Sequence, residues 1–352
     1  MKYISKEFEF YREHENKKKL KLIFLFSSFI FLFFLFGLSS FMGEIAISPL
    51  KVFGGSLTEN EKYVFFNIRV VRIISAIFAG ASLSLCGAVA QNILKNPMAS
   101  PFTLGISQGA AFGASFAIIF LGGGTMSSYG EAVSISSYPV TVVFAFIGAL
   151  SAGFFVFLMA YFKDAAPNTI VLTGVALGSL FQAITMFMQY FTSETKAAAT
   201  LFWTFGDISK GDYRFVYIIL FFFIPIFLFF FFSAAKLNAI LWGKDIAKTL
   251  GVKVKQFNLI SILLISVLTA ATTAFLGVIG FIGLISPHLA KIIVGSDNKY
   301  FLPMSAILGS IVLLLSDMVS RFILAPAVIP VGIITSFWGI PLLIFLILKG
   351  QK

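Results

Sequence analysis

The sequence is short of what a water-facing surface requires. Only 12% of its 352 residues are charged, against about 25% in an average soluble domain, while 59% are hydrophobic. Too little polar material remains to coat a soluble fold, so a soluble enzyme is excluded. A single cysteine, Cys86, rules out a disulfide framework within the chain and a Cys-rich metal centre. Two histidines alone leave little for any other metal site. Acidic residues are also few: 15 Asp and Glu stand against 26 Lys and Arg, a net charge of +11. Disorder is excluded from the opposite side. Disordered chains lack the aromatic and branched residues that abound here, 45 Phe among them.

What the chain does have is long apolar runs. Ten can be drawn, at 20–42, 70–94, 103–121, 139–162, 170–191, 213–235, 257–276, 279–295, 303–323 and 331–348. Each is close to the length of about 20 residues that crosses a bilayer as a helix. They are continuous rather than alternating, which excludes an outer-membrane barrel. The first run is too long for a signal-peptide core and is read as a retained span. The expected fold is therefore an all-α polytopic membrane protein of ten helices. The least secure junction is Gly277–Gly280, where two spans meet almost without a loop; one broken helix there would reduce the count to nine.

The basic residues fit membrane orientation better than nucleic-acid binding, which needs a basic face on a soluble module. With the N-terminus placed inside, 18 of the 26 Lys and Arg fall on the cytoplasmic side. That asymmetry supports two cytoplasmic termini. The expected organisation is a basic tail over 1–19, one transmembrane domain over 20–348 and a short cytoplasmic C-terminus over 349–352. Spans one and six are Phe- and Leu-rich on all sides and read as lipid-facing. Others carry small residues four apart, such as Gly105, Gly109 and Gly113, Gly148 and Ala152, and Gly174 and Gly178. Such spacing lets helix backbones approach closely in lipid.

Motifs for chemistry are mostly missing. No phosphate-binding loop is present: Gly243-Lys244 runs into Asp245 without the upstream glycines. His14-Glu15 opens like a zinc-protease motif, but Lys18 stands where the second histidine belongs. Gly105-Ile106-Ser107-Gln108-Gly109 fits a nucleophile-elbow pattern, yet it lies in a small-residue membrane segment rather than a strand-turn-helix. An intramembrane hydrolase would need Ser107 to pair with His288. Secondary transporters carry ionisable residues at mid-membrane, and these spans hold almost none. Asp317 and Arg321 are the exception, four apart on one helix face and toward the outer end. Five basic residues crowd 236–256. Asn238 to Leu250 has helical spacing and stops at Gly251; it serves equally as a membrane-surface anchor or as a dock for a soluble partner.

Several stretches together resemble the FecCD-type permeases of ABC importers. They are Arg69-Val-Val-Arg72 with Gly80-Ala-Ser82 and Gly87 to Gln91; Asn96-Pro-Met-Ala-Ser-Pro101 with Leu104 to Ala110; Ala247 to Gly251; Gly277-Val-Ile-Gly280-Phe-Ile-Gly283-Leu-Ile-Ser-Pro287-His288; and Leu315-Ser-Asp317 with Arg321 and Ile329 to Thr335. The main departure is Val70-Val71, where the family has Leu-Pro.

The resemblance implies ten helices per subunit, a homodimer and a path along the dimer interface. It implies two ATPase subunits beneath, which use the ATP and Mg, and an extracytoplasmic binding protein above. No cofactor is expected on this chain itself, no metal and no nucleic acid; membrane lipid surrounds it. The coupling element is expected at about 239–256, with Lys244, Asp245, Ala247, Lys248, Leu250, Gly251 and Lys253 meeting the ATPase. Arg69, Arg72 and Arg321 are expected to meet acidic groups of the binding protein. Gly105, Ser107, Gly109, Gly280, Gly283 and Pro287 are expected to line the path or pack helices. The implied cargo is an iron–siderophore or related chelate, with haem, cobalamin and oxyanions behind it, and the implied location is the cell membrane. An ion-coupled secondary transporter remains the alternative.

Overall fold

The computed structural model describes residues 2–43, 47–122, 124–126, 133–135, 138–324 and 327–349. The Ala325-Pro326 helix break and the end of the C-terminal tail lie outside these residues. Among the described residues, seven helices are long and apolar enough to cross a membrane, and three shorter apolar ones join them. These ten correspond to the ten expected spans. They are α1 (Lys2–Phe41), α4 (Val71–Leu94), α5 (Ile106–Phe120), α6 (Tyr138–Phe162), α7 (Pro167–Tyr190), α9 (Tyr213–Phe232), α12 (Val254–Leu276), α13 (Ile282–Val294), α14 (Asn298–Phe322) and α15 (Val331–Lys349). Short elements lie between them: α2 (Pro49–Phe53), α3 (Glu59–Tyr63), α8 (Glu194–Thr204), α10 (Ala234–Trp242) and α11 (Lys244–Thr249).

Three differences from the sequence reading stand out. First, α1 runs unbroken from Lys2, so no structural boundary separates the basic tail from the first span. The tail is built of good helix formers without Gly or Pro, and nothing stops propagation. Second, a small antiparallel hairpin, β1 (Gly124–Met126) against β2 (Val133–Ile135), joins α5 to α6. Third, the basic loop is two helices rather than one, split where Gly243 takes a φ of +139°. Gly277–Gly280 does separate two helices, α12 and α13.

Packing follows side-chain size. The Phe-rich flanks of α1 leave Phe26, Phe33 and Phe34 exposed for lipid. The interior is close-packed where residues are small. A Cβ on Gly105 would stand 2.6 Å from the Gly174 carbonyl oxygen, and one on Gly109 would strike the carbonyl oxygen of Gly148. The paired small residues of α5, α6 and α7 therefore bring backbone onto backbone, as their spacing requires. The helix breaks at mid-bundle also satisfy their own polar groups. Residues 205–207 thread between the α12–α13 break and the start of α15. Phe205 bridges Val278, Asp207 N–H donates to Leu276 O at 2.8 Å, and Gly332 N–H donates to Gly206 O at 3.0 Å. Irregular backbone at membrane depth is tolerated only when it is enclosed or lines a cavity.

Candidate functional site

Three places hold the residues picked from sequence. The first is a cavity of about 650 Å³ walled by the threaded segment, the α12–α13 break and α15. Phe205, Gly206, Val278, Gly280, Phe281, Ser336 and Phe337 line it, together with Met98, Ser100 and Thr103 ahead of α5. Among the described residues, none that lines it is charged. Gly280 faces the cavity with open space beside it: a methyl group added there would have nothing within 4 Å. Phe281 holds a left-handed backbone, φ +66°, a conformation that costs a bulky residue about 1–3 kcal/mol. Its ring lies where a side chain on Gly339 would be, so α15 accepts the ring only through that glycine. Sequence reasoning does not single out Phe281; a bulky residue between Gly280 and Gly283 carries no local signal of this conformation.

The remaining path or packing candidates divide. Gly105, Gly109 and Gly283 are packing positions: a Cβ on Gly283 would come within 2.8 Å of Leu83 O. Gly105 takes φ +75° just before α5 begins at Ile106, slightly later than expected. Ser107 and Pro287 are buried. Among the described residues Ser107 makes no hydrogen bond to His288, which faces a separate cleft with Gln91, Lys95 and Lys291. A hydrolytic pair is therefore not assembled.

The second place is the α10–α11 element at the basic end of the bundle. Lys244, Asp245, Lys248, Leu250, Gly251 and Lys253 are exposed, and Ala247 is buried beneath them. Val252 N–H donates to Ala247 O at 2.9 Å and folds the chain back under α11. Trp242 (78% exposed), Ile246 and Leu250 stand free at four-residue spacing. Ile246 and Leu250 share one face at α11 among the lysines, Trp242 stands across the Gly243 break at the end of α10, and Lys248, Lys253 and Lys255 share a cleft beside α11. Trp242 is absent from the sequence-based candidates, although the 242, 246, 250 spacing is legible.

The third place is the opposite end, where Arg69, Arg72 and Arg321 do converge. Asp317 lies between two of them. Arg72 Nε donates to Asp317 Oδ1 at 2.8 Å, and Arg321 Nη2 stands 3.2 Å from Oδ2. Arg321 Nη2 also donates to Ser39 Oγ at 2.6 Å, and Arg69 Nη1 to Ser40 O at 3.4 Å. Side-chain exposure is 13% for Arg72, 12% for Arg321 and nil for Asp317; Arg69 is buried within a π-helical turn, Val64–Val70. The expected Asp317–Arg321 pair is present, and Arg72 completes it from another helix. All three guanidinium groups are thus engaged inside the chain rather than held out to solvent for a partner, which corrects the expected direct contact with a binding protein.

Comparison with known proteins fits this geometry. Residues 30–349 match the FecCD transport family. An ABC transporter permease protein of Methanocaldococcus jannaschii is 45% identical over 289 residues, 82% of each chain. The iron(3+)-hydroxamate import system permease protein of Bacillus subtilis is 31% identical over 322 residues, 90% of this chain and 94% of that one. A solved structure described as an inward-facing conformation of a metal-chelate type ABC transporter superposes with a TM-score of 0.81 at 28% identity, covering 93% of this chain and 99% of that one.

Proposed function

The chain belongs to the FecCD transport family, and on that premise we propose that two copies of it form the path of a binding-protein-dependent ABC importer for a metal chelate, foremost an iron–siderophore. It is a transmembrane permease subunit and not an enzyme. The observation that carries the cargo reading is the uncharged cavity at the helix breaks. A small oxyanion entering it would lose its hydration shell and find no cation on the wall, since Lys210 is held behind it by the Trp203 and Phe205 carbonyls. A bulky chelate satisfies its own polar groups internally and slides past such walls.

The cavity is open at the surface beside exposed Phe337, Trp338 and Ile340 of α15. A second copy packed on this face would close it into a channel. The basic end then faces the cytoplasm, as positive loops do, with both termini on that side. There the exposed apolar residues Trp242, Ile246 and Leu250, with Lys244, Lys248 and Lys253 around them, dock an ATPase subunit that binds the ATP and Mg. At the other end the Arg72–Asp317–Arg321 cluster sets two cations against one carboxylate and carries a net positive charge. That charge attracts an acidic face of the binding protein through its field, since Arg72 and Arg321 are already held by Asp317.

The test is uptake by vesicles containing this chain and the ATPase subunit, with the binding protein outside and ATP inside. Ferric siderophore should enter only when all three proteins and ATP are present. Uptake driven by a proton or sodium gradient without the ATPase would overturn the proposal in favour of a secondary transporter. Preferential uptake of an oxyanion, haem or cobalamin would overturn the cargo alone.

A further inference from the structure

α4 and α14 touch at five levels from one end of the bundle to the other. Arg72 meets Asp317 at 2.8 Å. Ser310 Oγ then donates to Ile77 O at 2.8 Å. Gly80 and Gly309 follow, so close that a Cβ on either would collide with the other's carbonyl oxygen. Ser84 Oγ donates to Ser305 O at 2.7 Å. Asn92 Nδ2 donates to Asn298 Oδ1 at the basic end. The first and last rungs are separated by roughly 30 Å of α4, at about 1.5 Å per residue, which is the thickness of the hydrocarbon core.

All five rungs belong to one antiparallel register: from first to last, 20 residues of α4 are matched by 19 of α14. A slide of one turn would break them together. It would part the carboxylate from Arg72 and drive Leu313, whose Cβ already sits 3.0 Å from a Cβ position on Gly80, into the close approach. The glycine contact therefore leaves no neighbouring register available.

The lowest rung continues into the docking element. Asn238 of α10 accepts from Asn298 N–H at 2.9 Å and from Asn298 Nδ2 at 2.7 Å, and its own Nδ2 donates to Asp297 Oδ1 at 2.9 Å. Asn298 is fully buried and Asn92 nearly so. At the other end Arg321 ties the same helix to α1 through Ser39 and Met42. An amide network of this kind, with each member satisfied, holds one geometry tightly.

We propose that α4 and α14 move as one rigid strut during transport, and that Asn238 and Asn298 are positioning residues that carry displacement of α10 to the Asp317 end. The claim deepens the reading of α10–α11 as the ATPase dock and rests on it. The test uses the assembled importer in vesicles, with Cys86→Ser as the background and Ser84→Cys paired with Ser305→Cys. If the pair moves as one, the disulfide forms and uptake of ferric siderophore in the oxidised state stays within twofold of the reduced state. A tenfold fall on oxidation, reversed by reductant, would mean that the helices slide, and overturns the strut. Where the Ser84 hydroxyl meeting the Ser305 backbone carbonyl leaves the two thiols out of bridging reach, spin labels on the same cysteines carry the test: an unchanged separation between the nucleotide-free and ATP-bound importer supports the strut, and a shift by a helical turn overturns it.

For the positioning residues, Asn238→Ala should leave the ATPase bound and hydrolysing while chelate imported per ATP falls about tenfold. Asn238→Asp keeps the acceptor oxygen for Asn298 but faces the Asp297 carboxylate and should not recover the ratio, whereas Asn238→Asp combined with Asp297→Asn, which restores a donor between the two side chains, should recover most of it. A merely structural role would lower assembly, hydrolysis and uptake together, and an unchanged ratio in Asn238→Ala overturns the assignment. The docking reading fails separately, if reversing the charges of Lys244, Lys248 and Lys253 leaves the ATPase bound; the disulfide result still reports on the strut in that case.

Discussion

Asp317→Asn is the perturbation whose cost the structure specifies best. The carboxylate is wholly buried, 2.8 Å from Arg72 Nε and 3.2 Å from Arg321 Nη2. At an effective dielectric of about 20, two unit charges about 4 Å apart attract by roughly 4 kcal/mol, and Asp317 has two such partners. Part of this attraction only repays desolvation, so the net loss expected on removing the acid is that of breaking a buried pair, about 3–5 kcal/mol. Arg72→Gln should cost less, about 1.5–3 kcal/mol for one charge-assisted bond, because Asp317 keeps Arg321. The double variant Asp317→Asn with Arg72→Gln should fall short of the sum by about 0.5–3 kcal/mol, since removing one cation relieves repulsion left by the missing acid. Equilibrium unfolding of the detergent-solubilised protein measures all three. The reasoning is refuted if Asp317→Asn costs less than Arg72→Gln, or if the two losses simply add.

Other expectations can be checked alongside. Gly309→Val should destabilise by about 1–3 kcal/mol through overpacking, because its new Cβ meets the Gly80 carbonyl oxygen; Gly280→Ala, with open space around it, should stay within about 0.5 kcal/mol. Equal effects at the two glycines in thermal melts would contradict the packing assignment. Reversing the charge of Lys244, Lys248 and Lys253 together should abolish recovery of the ATPase subunit in pull-downs while leaving the unfolding midpoint unmoved. Ser107→Ala should transport at the wild-type rate, and loss of uptake in a variant that still folds would reopen the hydrolytic reading.

The parts legible in the sequence are those with local signatures. Ten spans appear because hydropathy is summed over about 20 neighbouring residues, and the Gly105, Gly109 and Gly148 contacts appear because spacing alone puts small residues on one face. Asp317 and Arg321 pair on the same grounds. Arg72 does not join them in the sequence, since it lies 245 positions from Asp317 and nothing local marks the meeting. The asparagines at 92, 238 and 298 look like ordinary helix-end or loop residues until the fold stacks them. The thread at 205–207 is equally hidden. Its backbone is held by Leu276, Val278 and Gly332, and the apolar character of α8 is interrupted by Glu194 and Lys196.

Charge placement in the bundle bears on where selectivity resides. Ionisable groups lie at the two ends of α4 and α14, at α10–α11, around α3 and, at Asp207 and Lys210, behind the threaded segment, while none lines the described cavity wall. Apolar walls discriminate weakly: a methylene more or less is worth about 1–3 kcal/mol, and a hydrophobic pocket rejects an added hydroxyl poorly. Strong choice among chelates therefore has to be made before the cargo reaches this chain. Vesicle uptake with exchanged binding proteins tests this directly. Cargo preference should follow the binding protein, and Ser336→Ala or Phe337→Leu in the wall should change rates for all chelates by similar factors. If a wall substitution instead reverses the preference between two chelates while the binding protein is held constant, the wall reads cargo, and the division of labour argued from its lack of charge is wrong.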